Sequence, residues 1–385
     1  MTYPLDSLLN DWKAKNYIEL GKDCSTAEVN PLFSDSVYID RLSRIPAVME
    51  MPYNDIVRKF IDMYAGRLRN QVSFMLSACN FYMPIFEEAL DAYGLPLELK
   101  YLPIIESALN PSAVSRAGAS GLWQFMIGTG KIYGLESNSL IDERRDPIKA
   151  TWAAARYLKE MYDIYGDWNL VIAAYNCGPG TINKAIRRAG GETDYWKIYN
   201  LLPKETRGYV PAFIAANYVM TYYCDHNICP METNIPASTD TVQVTQNLHF
   251  EQIAELCNVP LDEVKSLNPQ YKKQIIPGTT KPCTLRLPQG AISAFIDKQD
   301  TIYAHRADEL FRNRKTVAVK EITPATRRQT SAIAGKGKLT YYKIKSGDTL
   351  SSIAEKLGVR VRDIQQWNGM SNTRISAGKQ LKIYK

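Results

Sequence analysis

Tyr101-Leu102-Pro103-Ile104-Ile105-Glu106-Ser107-Ala108-Leu109-Asn110-Pro111 is an apolar run closed by a single carboxylic acid. Gly121-Leu122-Trp123-Gln124 follows it after a loop rich in Gly and Ser. A carboxyl in apolar surroundings is costly to ionise, so its pKa rises. A carboxylic acid that stays protonated near neutral pH is what glycosidic bond cleavage requires. Taken alone, a glutamate at a helix end is more often a solvated or capping residue, so the flanking chain has to decide.

On both sides the chain carries helical periodicity. Tyr53 to Ile61 has the spacing of an amphipathic helix, and Met83-Pro84-Ile85-Phe86-Glu87-Glu88-Ala89-Leu90 starts a second. Asp146-Pro147 predicts an N-cap followed by a first-turn proline. The helix after it is expected to turn Trp152, Ala155, Leu158, Met161, Tyr162 and Tyr165 inward and to stop near Gly166. Leu170 to Tyr175 predicts another helix, halted by Gly178-Pro179-Gly180, and Tyr209 to Tyr223 one more. Residues 51–230 are therefore expected to form one mainly helical domain behind an extension, 1–50.

Past Pro230 the texture changes. Ile253-Ala254 matches Ile353-Ala354, Val259 matches Val359, Val264 matches Ile364 and Asn268 matches Asn368, a spacing of 100 residues. Each copy has a strand before and after it: Thr241 to Val244 and Thr284 to Leu287, then Tyr342 to Lys345 and Gln380 to Tyr384. Two copies are too few for a solenoid, so they are expected as separate modules at 240–290 and 340–385. Residues 291–339 are expected as a basic linker, rich toward its end in Thr, Ser, Ala and Gly. The predicted fold class is α+β multidomain: a mainly helical domain followed by two small βααβ modules.

Bulk properties narrow the classes. A chain of 385 residues, 45% hydrophobic and 23% charged, is that of an ordinary multidomain globular protein. The net charge of +7 is concentrated between Arg312 and Lys345, where Glu321 is the single acid. Such a run is a solvated segment or an attraction to an acidic polymer or membrane surface. Nothing resembles a nucleic-acid module, so no nucleic-acid partner is expected. No apolar run reaches the ~18 residues of a membrane helix. The seven cysteines include two pairs, Cys224 with Cys229 and Cys257 with Cys283, whose spacing suits disulfides without establishing them. The histidines, His226, His249 and His305, do not cluster with cysteines at zinc spacing, so neither metal nor cofactor is expected.

Four motifs now stand in order: Glu106-Ser107-Ala108-Leu109-Asn110-Pro111, Gly121-Leu122-Trp123-Gln124, Ala174-Tyr175-Asn176-Cys177-Gly178 and Glu205-Thr206-Arg207-Gly208-Tyr209-Val210. The set resembles the lysozyme-like SLT domain of family 1 lytic transglycosylases, and among these the membrane-bound D branch. Tyr342-Lys343-Ile344-Lys345-Ser346-Gly347-Asp348-Thr349-Leu350 is similar to the start of a LysM module. The copy at 240–290 resembles it less, because Asn247-Leu248-His249-Phe250 replaces the Gly-Asp-Thr-Leu run.

The resemblance implies cleavage of the MurNAc-GlcNAc β-1,4 bond of peptidoglycan, with Glu106 acting first as acid and then as base. The muramyl C6 hydroxyl is then the nucleophile and the product carries a 1,6-anhydro bridge. It further implies that Ser115 polarises the reacting region and that Gln124 and Met126 line the cleft. Tyr175 and Tyr209 are expected to hold the Glu106 carboxyl, while Asn176 and Glu205 bind acetamido or peptide groups. In the C-terminal module Gly347, Asp348, Thr349 and Leu350 are expected to form one glycan wall and Asn372 and Ile375 the other. Trp123 is either core or a sugar-facing wall, and Cys177 a small buried filler.

Two other functions stay open at this level. A hydrolytic muramidase on the same fold needs a second acid, which Glu136, Asp142, Glu143 or Asp146 would supply. A non-catalytic peptidoglycan-binding scaffold would leave the LysM modules as the working parts. The substrate lies outside the cytoplasmic membrane, so the protein is expected in the periplasm or at the outer membrane. The opening Met1-Thr2-Tyr3-Pro4-Leu5-Asp6 lacks a signal pattern, so a removed export signal is expected, and whether a lipid anchor belongs with it stays open.

Overall fold

The computed structural model describes residues 30–231, 236, 238–311 and 339–384, without 346, 371 and 374. Among the described residues the N-terminal helical domain is built from ten α-helices with short 3₁₀ turns between them. They are α1 (Asp35–Arg44), α2 (Asp55–Ala65), α3 (Arg69–Ala92), α4 (Leu102–Ser107), α5 (Ile127–Ile132) and α6 (Pro147–Tyr165). After these come α7 (Trp168–Cys177), α8 (Pro179–Arg188), α9 (Tyr195–Ile198) and α10 (Lys204–Thr221). α10 packs along α2 and α7, and α6 packs between α3 and α7.

Local signals account for the helix ends. The Asp146 carboxylate accepts the Ile148 and Lys149 N–H groups with Pro147 next, as its sequence predicts, and Gly166 closes α6 in the left-handed conformation. Trp152 of α6, expected to turn inward, is exposed. α3 departs from expectation. It starts at Arg69 rather than at Met83, and Pro84 lies inside it. Every residue from Val72 to Ala78 is buried, so this part of the helix has no polar face and no amphipathic period to read.

The next module pairs β1 (Thr239–Val244) with β4 (Cys283–Pro288), antiparallel, in the register Val244↔Cys283. Between them lie β2 (Asn247–His249), α11 (Phe250–Cys257), α12 (Leu261–Leu267) and β3 (Ile275–Pro277). β2 and β3 pair with each other, an element absent from the expected βααβ pattern. The expected linker does not begin at 291. α13 (Gln289–Asp297), α14 (Gln299–Ala304) and α15 (Ala307–Leu310) follow directly. Phe295 and Ile302 are fully buried in the module core, so this segment is part of the module. The rest of the expected linker, 312–338, lies outside the described residues, as does most of the N-terminal extension.

The C-terminal module is a βααβ unit: β5 (Leu339–Lys343), α16 (Leu350–Leu357), α17 (Val361–Trp367) and β6 (Gln380–Tyr384), with β5 and β6 antiparallel. Its core is Ile344, Leu350, Ile353, Ala354, Ile364, Leu381 and Ile383.

Neither suggested cysteine pair forms a disulfide. Cys224, Cys257 and Cys283 are free thiols, whereas Cys229 is disulfide-bonded elsewhere. Packing, rather than a bond, brings Cys257 and Cys283 into one core. Among the described residues no cluster is suited to a metal, and no helix is long and apolar enough to cross a membrane.

Candidate active site

Glu106 stands one residue from the end of α4, a short helix that must stop abruptly. Ala108 and Leu109 take left-handed backbone angles, φ 51° and 60°. The Ser107 hydroxyl donates to the Pro103 or Leu122 carbonyl, 3.0 and 2.9 Å away, binding the helix end to the following loop. The Asn110 side chain accepts the Ser112 N–H at 2.9 Å, turning the chain away from the helix. The motif therefore aims one carboxyl and spends its other polar residues on holding that aim.

The loop from Ala113 to Met126 forms the facing wall. Gly121 has φ 87°, and a Cβ there would lie 1.7 Å from the Arg144 carbonyl oxygen, so only glycine fits. Trp123 is core: it is fully buried, stacks edge-on with Phe86 and donates from Nε1 to the Thr151 hydroxyl at 2.9 Å. Gln124, at φ 47°, donates from its amide to the Gly121 and Ala113 carbonyls, which leaves Oε1 as an acceptor. Ser115 Oγ accepts the Ala119 N–H at 3.1 Å, so its own proton is available to donate. Met126 is exposed at the rim.

A cleft of about 510 Å³ collects these groups. It is lined by Ile105 and Glu106, by Ser115, Gln124 and Met126, by Tyr157, by Tyr175 to Gly178, and by Glu205, Tyr209 and Ala212. A further wall is Phe60, Met63 and Tyr64 from α2. Sequence reasoning missed this wall. Phe60, Met63 and Tyr64 fall at helical spacing, the same signal that marks core residues. Cys177, expected as a filler, lines the cleft half-buried.

The electrostatics centre on Glu106. Removal of its carboxyl from water pushes its pKa up to about 7. The Tyr209 phenol donates to Oε1 and works against that shift, while the nearby Glu205 charge adds to it. Tyr175 behaves otherwise than expected. Its phenol donates to the Trp123 carbonyl at 2.7 Å and not to Glu106, so it pins the facing loop instead of the acid. Burial raises both phenols well above the ordinary tyrosine range, with the Glu106 charge next in effect.

Two more groups face the cleft. The Thr206 hydroxyl donates to Asn176 Oδ1 at 2.9 Å, which leaves the Asn176 NH₂ as a donor. Glu205 is exposed in the first turn of α10. The four acids considered for a second catalytic carboxyl are committed elsewhere. Asp142 pairs with Arg144, Glu143 with Lys149 and Glu136 with Lys281, and Asp146 caps α6. None of them lines the cleft.

In the C-terminal module several expected glycan contacts are occupied by local structure. Leu350 is buried in the core, which removes its side chain from any glycan wall. The Asp348 carboxylate accepts the Lys345 N–H and the Tyr342 hydroxyl, and Thr349 caps α16. Gly347 (φ 87°) shapes the turn, Asn372 is exposed, and Ile375 packs against the core edge.

Comparison with known proteins agrees with this layout. The Transglycosylase SLT domain family matches residues 83–198. The LysM-like domain family of lytic transglycosylase MltD matches 238–304, and the LysM domain family matches 342–383. The soluble lytic murein transglycosylase of Escherichia coli (strain K12) is 33% identical over 124 residues, 31% of this chain and 19% of that protein. The crystal structure of the 70 kDa soluble lytic transglycosylase from Escherichia coli aligns over 38% of this chain and 25% of that one, at 29% identity and a TM-score of 0.33. Membrane-bound lytic murein transglycosylase D of Escherichia coli (strain K12) is 30% identical over 341 residues, spanning 87% of this chain and 70% of that protein. With identity sustained across both the catalytic and the LysM-like regions, this chain belongs to the membrane-bound lytic murein transglycosylase D family.

Proposed function

We propose that this chain is a peptidoglycan lytic transglycosylase whose single catalytic residue is Glu106. The observation that carries the proposal is a carboxyl with its pKa pushed up to about 7, hydrogen-bonded by Tyr209 at the floor of a glycan-sized cleft. Such an acid is substantially protonated at neutral pH and is also a competent base once it has given its proton away.

The steps follow from the donor and acceptor pattern. Protonated Glu106 transfers its proton to the glycosidic oxygen between MurNAc and GlcNAc as the C1–O bond breaks. Positive charge develops at C1, and the Glu205 carboxylate beside the cleft favours it. The Glu106 carboxylate, steadied by the Tyr209 phenol, then takes the proton of the muramyl C6 hydroxyl as that oxygen attacks C1. The 1,6-anhydro bridge closes, no water is consumed, and Glu106 is protonated again. Ser115 donates toward the reacting region. The Asn176 NH₂ and the Gln124 Oε1 offer the donor and acceptor that an acetamido C=O and N–H require. Met126, Phe60 and Met63 supply apolar contact to sugar faces.

Peptidoglycan lies outside the cytoplasmic membrane, so the protein works in the periplasm or at the outer membrane, where a lipid anchor would hold it to the lipid surface. Mass spectrometry of digested cell wall tests the reaction. Anhydro-ended fragments are lighter by one water than reducing ends. Anhydro ends support the proposal, and reducing ends alone would establish a hydrolytic muramidase instead.

A further inference from the structure

The 100-residue repeat allows the two LysM-type modules to be compared position by position. In the C-terminal copy the candidate glycan walls are the turn at Gly347, Asp348 and Thr349 and the positions Asn372 and Ile375. The equivalent positions in the first copy are Asn247, Leu248 and His249, and Lys272 to Ile275. These two stretches are bonded to each other. β2 and β3 form an antiparallel ladder with Leu248↔Ile276 and His249↔Ile275, extended by the Phe250 N–H donating to the Gln274 carbonyl at 2.9 Å. Gly278 seats against the Gln246 backbone so closely that a Cβ would lie 2.4 Å from its carbonyl oxygen. The edges that would hold a sugar chain hold one another.

The same stretch grips the catalytic part. The Asp142 N–H donates to the Gln270 carbonyl, and the Lys272 N–H to the Leu140 carbonyl, both at 2.8 Å. Leu140 and Ile141 are buried in the core of the module itself. The Lys272 ammonium donates to the Asn138 carbonyl at 2.8 Å and lies 3.6 Å from the Asp142 carboxylate. Asp142 in turn holds Arg144 through two bonds of 2.8 and 2.7 Å. Arg144 then reaches into the active-site loop, donating to the Gly118 and Phe125 carbonyls at 2.8 and 2.9 Å. That loop carries Ser115, Gln124 and Met126.

We infer that the first LysM-like module is a clamp and not a glycan-binding module, and that Arg144 is the positioning residue through which it shapes the cleft wall. The module fixes Asp142, Asp142 fixes the guanidinium fork, and the fork fixes two carbonyls of the loop. This rests on the proposed function only in taking that loop as the reactive wall.

The test uses the full chain with three variants: Arg144→Lys, Lys272→Met and Lys272→Glu. Hydrogen exchange is followed at Ser120, Gly121 and Gln124, whose amides bond within the loop. Exchange there should quicken about tenfold in Arg144→Lys and Lys272→Glu, with the α3 and α10 amides unchanged, and less in Lys272→Met. On isolated glycan strands kcat should fall about tenfold with KM within about twofold, because a displaced wall costs alignment more than binding. Lys272 touches no loop residue, so wild-type exchange and kcat in Lys272→Glu would overturn the clamp. N-acetylglucosamine oligomers that slow exchange at 246–250 and 272–277 would overturn the closed groove. The exchange measurements decide the inference even if the wild-type chain makes no anhydro product.

Discussion

The Tyr209 phenol donates its proton to Oε1 of Glu106, joining residues 103 positions apart in the chain. α10 and α4, packed against each other, bring the two groups together. A phenol on a carboxylate favours the ionised form, so this contact opposes the burial that keeps Glu106 protonated. The balance between the two sets the pH at which the acid works.

Glu106→Gln should abolish cleavage while leaving glycan binding intact. Loss of a general acid–base typically costs about 10²–10⁴ in rate, and here one group performs both steps, so the upper end is expected. Release of soluble fragments from purified cell wall measures it, with co-sedimentation on intact wall as the binding control. Cleavage at more than a tenth of the wild-type rate would remove Glu106 from its role.

The pH dependence has a definite sign. The folded pKa of about 7 lies above the ordinary 4.5, so the folded chain holds this proton more tightly than the unfolded chain. Glu106's contribution to stability is therefore complete below about pH 4.5, falls as the pH rises toward 7, and then levels off. Activity should likewise decline through pH 7 as the acid form is lost. Glu106→Gln should raise stability at pH 8 by about 3 kcal/mol and hardly at all at pH 4. Thermal unfolding at the two pH values decides this, and an equal effect at both would refute it.

The two tyrosines should separate in a pH–rate profile. Tyr209→Phe removes a bond to the ionised acid, so the alkaline limb should move up in pH while kcat falls by about tenfold. Tyr175→Phe frees the Trp123 carbonyl instead, so it should lower kcat without Tyr209's shift of that limb. Glu205→Gln should move the limb down, because a negative neighbour that raises the Glu106 pKa has gone.

Gly121→Ala should be severely damaging. Both φ 87° and the approach to the Arg144 carbonyl forbid a Cβ, and the backbone on each side is packed. A loss of more than about 3 kcal/mol is expected from chemical denaturation. Gly118→Ala is the comparison: its φ is 89° but nothing lies within 4 Å, so only the conformational cost of about 1 kcal/mol applies.

The sequence by itself determined the helical class, the α6 cap at Asp146-Pro147, the repeat that marks the two modules, and the order of the four motifs. These are local features, written in spacing and in residues with strong backbone preferences. It also singled out Glu106, since an acid closing an apolar run is visible without coordinates. Tertiary structure alone decided what the long-range bonds are. Tyr175 and Tyr209 look equivalent in the sequence, yet one meets the Trp123 carbonyl and the other the Glu106 carboxyl. The α2 wall of the cleft, the free state of Cys257 and Cys283, and the β2–β3 ladder were equally out of reach. Each depends on where separate elements pack, and a residue's periodicity records which face of its helix is covered but not by what.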